Sequence, residues 1–422
     1  MSYRSVLFGG VALSALVMAS GAAWSQEIDN SWSGARIGAN LGIGMASTQN
    51  YDSITVGGYE AGKLGYESAI GGVFAGYDYE VAPGIVFGFE AGLQFFNGEA
   101  SVSSRTYADG YEFRSYGAAY AGVRAGVEVA PRTLAYGRLS YAAIHAQTSE
   151  ATSDPQETYL NGYQAAAGIE TEVMDNVLLR VEGTYTQALD TLVINDGAAE
   201  YTPSHVGATI GVSYRFGGES RGPRVDFAPK RSWTGGYVGV LAGAIGSGTL
   251  NGNREAEGEF GLAGPVSTIV ASYGGYVGAN MQMGDQWVAG IEGEVTTYDA
   301  AYDYVLDDLQ DFASSDHKGQ ISVRFGYLAN PDTLIYARAG YGLMHVNPDP
   351  IFAELGTESA YLQTLSAGMG IETMITENAL LRLEGLYTAA IDEYRFNDSG
   401  SGDPYYAKPA SVEARVGAAF LF

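Results

Sequence analysis

The sequence predicts an all-β fold, built as two tandem antiparallel up-and-down β-barrels that cross a membrane. Two observations support this fold class. First, the segment GIETEVMDNVLLRVEGTYTQALD at 168–190 returns about 200 residues later as GIETMITENALLRLEGLYTAAID at 370–392. Second, apolar and polar residues alternate with a period of two in both copies, as they do along strands with one apolar face. A repeat of this size indicates a duplicated domain rather than a solenoid of short repeats.

The composition favours strands that hold together without disulfides. The chain of 422 residues contains 59 Gly, 31 Tyr and no Cys. Many Gly and Tyr suit antiparallel strands with aromatic girdles, and a chain without cysteine has no disulfide framework. The formal net charge of −26 argues against nucleic acid as a partner, because nucleic-acid binding needs basic patches. It also argues against tight docking onto an anionic lipid surface.

Residues 1–25 have the pattern of a secretory signal peptide. The basic start MSYR precedes the apolar run VLFGGVALSALVMASGAA, and the small residues Ala23 and Ser25 suit a cleavage site before Gln26. An N-terminal membrane anchor is the alternative. Because no later apolar run reaches about 20 residues, we expect no transmembrane helix.

Each copy is expected to contain eight long strands. Long gaps alternate with tight turns such as 81–83, 130–131 and 174–175, which places the long loops at one end of a barrel and the turns at the other. The second copy repeats this scheme. In the first copy the strands are placed at about 33–46, 66–80, 84–97, 113–129, 132–148, 157–173, 176–190 and 203–216.

The two faces of these strands indicate which face meets lipid. Val177, Leu179 and Val181 lie on one face, and the other face carries mainly Gly, Ser and Thr with a few charges of both signs. Such a polar face suits a narrow lumen better than a water-exposed surface, so the apolar face is predicted to meet lipid. Because lipid excludes open sheet edges, the strands must close into a barrel. A ring of about eight strands leaves an interior that side chains fill.

Twelve charged residues on the polar face are predicted to form a charge cluster in the lumen. Each position keeps its residue type across the duplication, and buried ions need partners. The cluster is predicted either to be a mutually neutralised plug or to line a gated polar path for ions or small solutes. The twelve residues are Glu90, Arg124, Arg138, Glu170, Arg180, Glu182, Glu292, Arg324, Arg338, Glu372, Arg382 and Glu384.

Several aromatic residues are expected to form girdles at the level of the lipid headgroups. Sugar binding is the alternative for this set. The residues are Trp32, Trp233, Tyr136, Tyr141, Tyr185, Tyr336, Tyr341 and Tyr387.

The sequence predicts no catalytic residue, no metal site and no cofactor. His145 and His345 occupy matching positions, but Ser140 is replaced by Gly340, so no Ser–His pair recurs in both copies. The spacing of a Ca²⁺ loop and a Cys/His cluster are both missing. The acidic segment at 297–316 is expected to be a solvated loop, with weak divalent-cation bridging to lipopolysaccharide as the alternative. The chain is therefore expected not to be an enzyme.

The two copies share an opening motif, a strand motif and a closing residue. Each opens on W-[ST]-G, contains a Gly-x-Glu strand and closes on a phenylalanine, with these features at Trp32, 88–90 and Phe216 and at Trp233, 290–292 and Phe422. In these features the chain resembles the porin-like, OmpA-type small outer-membrane β-barrel family of Gram-negative bacteria.

The resemblance implies eight-stranded barrels in the cell outer membrane, with periplasmic termini and long extracellular loops. It implies contact with outer-membrane lipid and lipopolysaccharide. It also implies that periplasmic chaperones and the barrel-assembly machinery act during biogenesis, with Phe422 as the assembly signal.

The predicted domains are a signal peptide at 1–25, barrel copies at 32–216 and 232–422, and a periplasmic linker at 217–231. The polar linker GGESRGPRVDFAPKR contains two prolines and favours two separate barrels over one merged sixteen-stranded barrel, which would enclose an aqueous channel. The expected function is structural, with surface presentation of the loops. Passive diffusion of ions or small solutes through a porin-like channel is the alternative.

Overall fold

In a computed structural model of the chain, almost all of the described residues form antiparallel strands. The predicted signal peptide and the predicted linker beyond Gly217 lie outside these residues, as do 303–312 of the acidic segment. None of the helices in the described residues is long and apolar enough to cross a membrane. The structure describes 32–52, 64–102, 111–150, 156–194, 199–217, 232–252, 266–302, 313–348, 350–354, 356–396 and 405–422.

The first barrel is a closed ring of eight long strands, and the short strands β4 and β9 add to it at the long-loop end. Neighbouring long strands pair in sequence order, and the last returns to the first, where Ala35 lies opposite Phe216. The strands are β1 (Gly34–Asp52), β2 (Leu64–Ala82), β3 (Ile85–Asn97), β4 (Glu99–Val102), β5 (Tyr111–Ala130), β6 (Thr133–Glu150), β7 (Gln156–Met174), β8 (Val177–Ala188), β9 (Leu192–Ile194) and β10 (Ala199–Phe216).

The second barrel repeats this ring. Its last strand returns to its first, where Tyr237 lies opposite Leu421. The prediction of two eight-stranded barrels is therefore confirmed, and the alternative of one merged sixteen-stranded barrel is wrong. The elements are β11 (Gly235–Gly252), β12 (Val266–Met283), β13 (Trp287–Tyr302), β14 (Ala313–Asn330), β15 (Thr333–Pro348), α1 (Pro350–Glu354), β16 (Ala360–Met374), β17 (Ala379–Ala390), β18 (Tyr394–Phe396) and β19 (Tyr405–Leu421).

Most of the long strands run further toward the long loops than the sequence pattern indicates. Strand β1, for example, continues to Asp52 and pairs there with Ala199, whereas its predicted end was near residue 46. Beyond that point the alternation of apolar and polar residues fades, because polar residues such as Ser47 and Thr48 follow one another. Backbone pairing continues there without an apolar face, so periodicity alone does not locate the strand ends.

The apolar face of the strands points away from the barrel interiors, as predicted. Phe89 is 69% exposed and Ile321 is 72% exposed, whereas the adjacent Glu90 is 1% exposed. Outward side chains on such strands meet lipid, and inward side chains fill the lumen. The burial pattern therefore shows two apolar outer surfaces around polar interiors.

Replacing Phe89 with Arg is expected to destabilise the first barrel, because Phe89 lies near the middle of its outer apolar band. An Arg on the lipid face near the bilayer midplane costs about 2–4 kcal/mol, and near the interface about 0–1 kcal/mol. Phe216→Arg, the same substitution at the tight-turn end of the barrel, is the matched control. Urea unfolding in lipid vesicles measures both changes, and equal losses for the two variants would contradict this orientation of the barrel.

The two barrels also contact each other along one side. Val181 and Ile169 of the first barrel are buried against Ile371 and Leu383 of the second, although they lie on the otherwise exposed outer face. At the tight-turn end, Thr133 Oγ1 lies 2.8 Å from Thr333 Oγ1. We call this contact the seam, defined by Thr133, Ile169, Val181, Gly183 and Ala208 with Thr333, Ile371, Leu383, Gly385 and Ala414.

The centre of the seam is made of two small-residue pairs that fit into each other. Gly183 pairs with Ala208 in the first barrel, and Gly385 pairs with Ala414 in the second. A Cβ atom added to Gly385 would lie 2.4 Å from the Cβ of Ala208, and one added to Gly183 would lie 2.8 Å from the Cβ of Ala414. Each barrel thus places its alanine against the glycine of the other, as in a two-fold symmetric, isologous contact.

Candidate functional site: the charged barrel interiors

The first barrel encloses a cluster of four arginines and four carboxylates, called here the copy-one cluster. Glu90 lies at its centre, with Arg36 Nη2 at 2.8 Å, Arg180 Nη1 at 2.9 Å and Arg138 Nε at 3.2 Å. The members have equal numbers of positive and negative groups, so the cluster is neutral. They are Arg36, Asp78, Glu90, Arg124, Arg138, Glu170, Arg180 and Glu182.

Aromatic rings pack between the charged groups of this cluster. The Tyr136 hydroxyl donates a hydrogen bond of 2.7 Å to Glu182 Oε2, and the Arg124 guanidinium lies 4.2 Å from the Tyr136 ring centroid. The Arg180 guanidinium lies 3.6 Å from the centroid of Phe74. Cation–π contacts of this kind are strongest where water is excluded, so the rings stabilise the arginines as well as filling space.

The second barrel encloses a larger cluster of five basic and five acidic groups, the copy-two cluster. Glu292 accepts hydrogen bonds from Arg382 Nη2 at 2.7 Å, Arg338 Nη1 at 2.9 Å and the Tyr237 hydroxyl at 2.8 Å. Its groups also balance to zero net charge. They are Glu292, Glu294, Lys318, Arg324, Arg338, Glu372, Arg382, Glu384, Glu413 and Arg415.

The structure places all twelve residues predicted from the sequence inside the barrels, six in each cluster. It also places nine further charged residues there that sequence reasoning missed, six of them in the two clusters. None of them has a residue of the same type at the corresponding position of the other copy, whereas each of the twelve predicted residues does. The alternation of side-chain direction along a strand would have identified some of them, because Glu294 lies two residues after Glu292 and therefore on the same face. The missed residues are Arg36, Asp78, Glu294, Lys318, Glu413 and Arg415 in the clusters, and Glu80, Glu172 and Arg215 at the tight-turn end of the first barrel.

The unmatched residues show what the two interiors have in common. Arg36 of the first barrel corresponds to Tyr237 of the second, counted from the opening tryptophans, and Arg415 pairs with Glu384 where Thr209 pairs with Glu182. The individual charges thus differ, yet both clusters are neutral. An unpaired ion in such an interior would be costly, and each charge that differs between the copies has a neighbour of opposite sign in its own cluster, as in Arg36–Asp78 and Lys318–Glu413.

Neither cluster leaves room for a wide aqueous path past its members. All eighteen residues of the two clusters are at most 4% exposed. A continuous water-filled channel alongside them would leave the facing atoms accessible. Within the described part of the chain, the two interiors are therefore filled by side chains, as expected for barrels of eight strands.

The tight-turn end of each barrel is filled by a tryptophan, which corrects part of the girdle prediction. Trp32 packs with Val86 and Leu178 inside the first barrel, and Trp233 Nε1 donates a hydrogen bond of 3.1 Å to Pro331 O. Tyr136 and Tyr336 are buried as well. Placing these four residues in a girdle was wrong. The tryptophans precede the first paired residue, so no alternation fixes their direction, whereas Tyr136 and Tyr336 lie two residues before the inward-facing Arg138 and Arg338 and share their face.

The other four predicted girdle residues lie on the outer face. Tyr141 and Tyr341 are exposed, as a headgroup-level position requires. Tyr387 of the second barrel is partly buried against the first barrel. Its hydroxyl donates a hydrogen bond of 2.9 Å to Glu67 Oε2 of the first barrel. Tyr185 donates a hydrogen bond of 2.7 Å to Gln187 Oε1.

His145 and Phe422 also lie at the outer surface. His145 stacks on Tyr159, with ring centroids 4.8 Å apart, and its Nε2 lies 3.5 Å from Glu157 Oε2. Phe422 is exposed, while its backbone N–H donates a hydrogen bond of 2.9 Å to Gly236 O. The terminal residue is thus held to the first strand of the second barrel, with its ring directed outward.

The model of the OmpA-like transmembrane domain family matches residues 30–220, which span the first barrel. A 25 kDa outer-membrane immunogenic protein of Brucella abortus is 29% identical over 201 residues, covering 47% of this chain and 83% of that protein. The protein of the same name from Brucella melitensis is 30% identical over 167 residues, covering 39% and 68%. A 22 kDa outer membrane protein of Rhizobium leguminosarum bv. viciae is 30% identical over 196 residues, covering 46% and 80%.

Solved structures similar to this chain include a toluene transporter and a neisserial surface protein. The P. putida toluene transporter TodX is 12% identical, with 94% of this chain and 93% of that chain covered and a TM-score of 0.27. Neisserial surface protein A is 12% identical, with 44% and 98% covered and a TM-score of 0.28. Likenesses this distant do not bear on function.

Proposed function

The chain belongs to the OmpA-like family of outer-membrane β-barrel proteins, and we propose that it is a non-conducting pair of barrels that supports the envelope and presents loops at the cell surface. The observation that carries this proposal is the pair of side-chain-filled interiors, each with a charge-balanced cluster. Every charge in the clusters has an oppositely charged neighbour, and none is in contact with a wide aqueous path.

Two further observations support a role in surface presentation. The strands extend past the apolar band at the long-loop end, which would raise the loops away from the lipid. Relatives from Brucella are named outer-membrane immunogenic proteins, a name that suits exposed loops. We propose that the long loops are extracellular, that the termini are periplasmic, and that lipopolysaccharide surrounds the barrels.

For biogenesis, we propose that periplasmic chaperones deliver the chain and that the barrel-assembly machinery reads Phe422. The exposed ring at the end of β19 supports this role, since a recognition residue must be accessible. We propose no enzymatic role. The side-chain contacts of His145 and His345 are with carboxylates, an amide and aromatic rings, and the Ser68–His205 hydrogen bond of 2.9 Å is buried.

Reconstituted full-length protein is expected to give no steady unitary conductance in planar bilayers and no uptake of a trisaccharide into vesicles. A sixteen-stranded porin inserted by the same protocol is the positive control, because a barrel of that size leaves an aqueous channel. Insertion is checked by heat-modifiable migration on gels. Stable, uniform conductance steps from the wild-type chain would contradict the proposal and favour passive diffusion of ions.

A further inference from the structure

Three potential metal ligands converge on the outer face of the second barrel, at its long-loop end. His317 Nδ1 lies 2.6 Å from Asp316 Oδ1, and His345 Nδ1 lies 2.9 Å from the same oxygen. One ligand atom from each residue lies within 4.8 Å of the other two. The two imidazole rings face each other, with centroids 4.7 Å apart.

A β-bulge brings these three side chains together. The pairing of β14 with β15 shifts register between Ser315 and His317, which leaves Asp316 as the extra residue. Bulges redirect side chains and occur often beside functional sites. Here the bulge lets Asp316 and His317, which are adjacent in sequence, both point toward His345, the cross-strand partner of His317.

Two further polar groups support the cluster. Asn347 Nδ2 donates a hydrogen bond of 3.2 Å to Asp316 Oδ2, and the Tyr361 hydroxyl lies 3.3 Å from His317 Nε2. Partners of this kind orient metal ligands and fix the histidine tautomer. The cluster is also accessible, since the side chains of His317 and Asp316 are 37% and 44% exposed.

The first barrel does not contain this arrangement. Its bulge falls at the same place, between Ser115 and Gly117, and His145 lies opposite Gly117. The residues corresponding to Asp316 and His317 are Tyr116 and Gly117. Gly117 has φ +154, and a Cβ there would lie 2.0 Å from the backbone oxygen of Gln94, so a histidine cannot take that place without rearrangement. The cluster is a feature of the second copy alone.

We propose that Asp316, His317 and His345 bind a divalent transition-metal ion, with Zn²⁺ as the probe. Two imidazoles and one carboxylate are a ligand set used for such ions, and three protein ligands leave a position open for water or another ligand. The chain has 4 His and no Cys, so half of its histidines converge on one carboxylate. A net charge of −26 favours the approach of a cation.

The test uses the full-length, untagged chain in detergent, titrated with Zn²⁺ in competition with a fluorescent chelator. Saturable binding of about one tight Zn²⁺ per chain is expected. His317→Ala and His345→Ala should each weaken binding by at least about 100-fold, the upper end of the loss seen when only a supporting group is removed. Co²⁺ in place of Zn²⁺ should give visible absorption bands that both variants lose.

His145→Ala, in the corresponding position of the first barrel, is the matched control and should leave the affinity and stoichiometry unchanged. Heat-modifiable migration confirms that each variant is folded. Binding that survives His317→Ala, or that His145→Ala weakens equally, would overturn the proposal, as would wild-type protein that competes no better than Asp316→Asn. These outcomes are separate from conductance, so the metal site and the non-conducting role can fail independently.

Discussion

Replacing Glu292 with Ala is expected to lower the free energy of unfolding of the second barrel by about 3–5 kcal/mol. Glu292 accepts hydrogen bonds from Arg382 and Arg338 at 2.7 and 2.9 Å, and removing it leaves the copy-two cluster with an uncompensated positive charge. The loss is large because the arginines are already desolvated and cannot recover their hydration without disrupting the interior.

Urea unfolding and the temperature of the heat-modifiable shift measure this effect. Glu377→Ala, in the exposed turn before β17, removes the same chemical group from the same barrel and should change stability by less than about 0.5 kcal/mol. If the two variants unfold alike, the interior ion pairs do not stabilise the barrel, which would contradict a role for the cluster as a stabilising plug.

Replacing Gly385 with Leu is expected to separate the two barrels while leaving each of them folded. Gly385 faces Ala208 across the seam, and an added Cβ would lie 2.4 Å from the Cβ of Ala208. Neither backbone can yield, because both belong to closed rings, so the barrels must move apart. In a lipid surrounding there is little hydrophobic force to hold them together, so their association depends on close packing and on hydrogen bonds such as Thr133–Thr333, and the substitution removes the close packing.

The chain has no Cys, so a disulfide between cysteines introduced at Thr133 and Thr333 reports on the seam without background. Their hydroxyl oxygens lie 2.8 Å apart, and oxidation should cross-link the two positions almost completely in the parent chain. The yield should fall several-fold in Gly385→Leu. Gly293→Leu is the control, because a Cβ at this outer-face glycine of the second barrel would meet nothing within 4 Å. Undiminished cross-linking in Gly385→Leu would contradict the proposed role of the seam.

The fold could be predicted from the sequence because lipid outside and ion pairs inside impose a strict period of two. That alternation identified the strands and gave Glu90 and Arg180 the same direction. The duplication added an independent check, because a charge present in both copies is unlike a chance surface charge. The two signals together select six matched residues in each copy, all of which are buried in the barrel interiors.

The features that sequence reasoning missed depend on contacts between segments that are distant in the chain. Asp316 and His345 are 29 residues apart and meet only because β14 and β15 pair with a bulge. Val181 and Ala208 carry the same alternation as lipid-facing residues elsewhere, so nothing local distinguishes the seam. Trp32 lies before the first strand, where no alternation of residues indicates which way its side chain points. Register, bulges and barrel-to-barrel packing are not encoded in any single segment.

The fusion of two copies has a thermodynamic consequence for the seam. Two separate chains would associate in proportion to their density in the membrane, whereas linked partners meet at an effective concentration that expression level does not change. A symmetric pair of identical chains would also carry every substitution twice. Joined in one polypeptide, the halves are free to differ, and a histidine tolerated at 317 but sterically excluded at 117 is a one-sided specialisation that two identical chains could not carry.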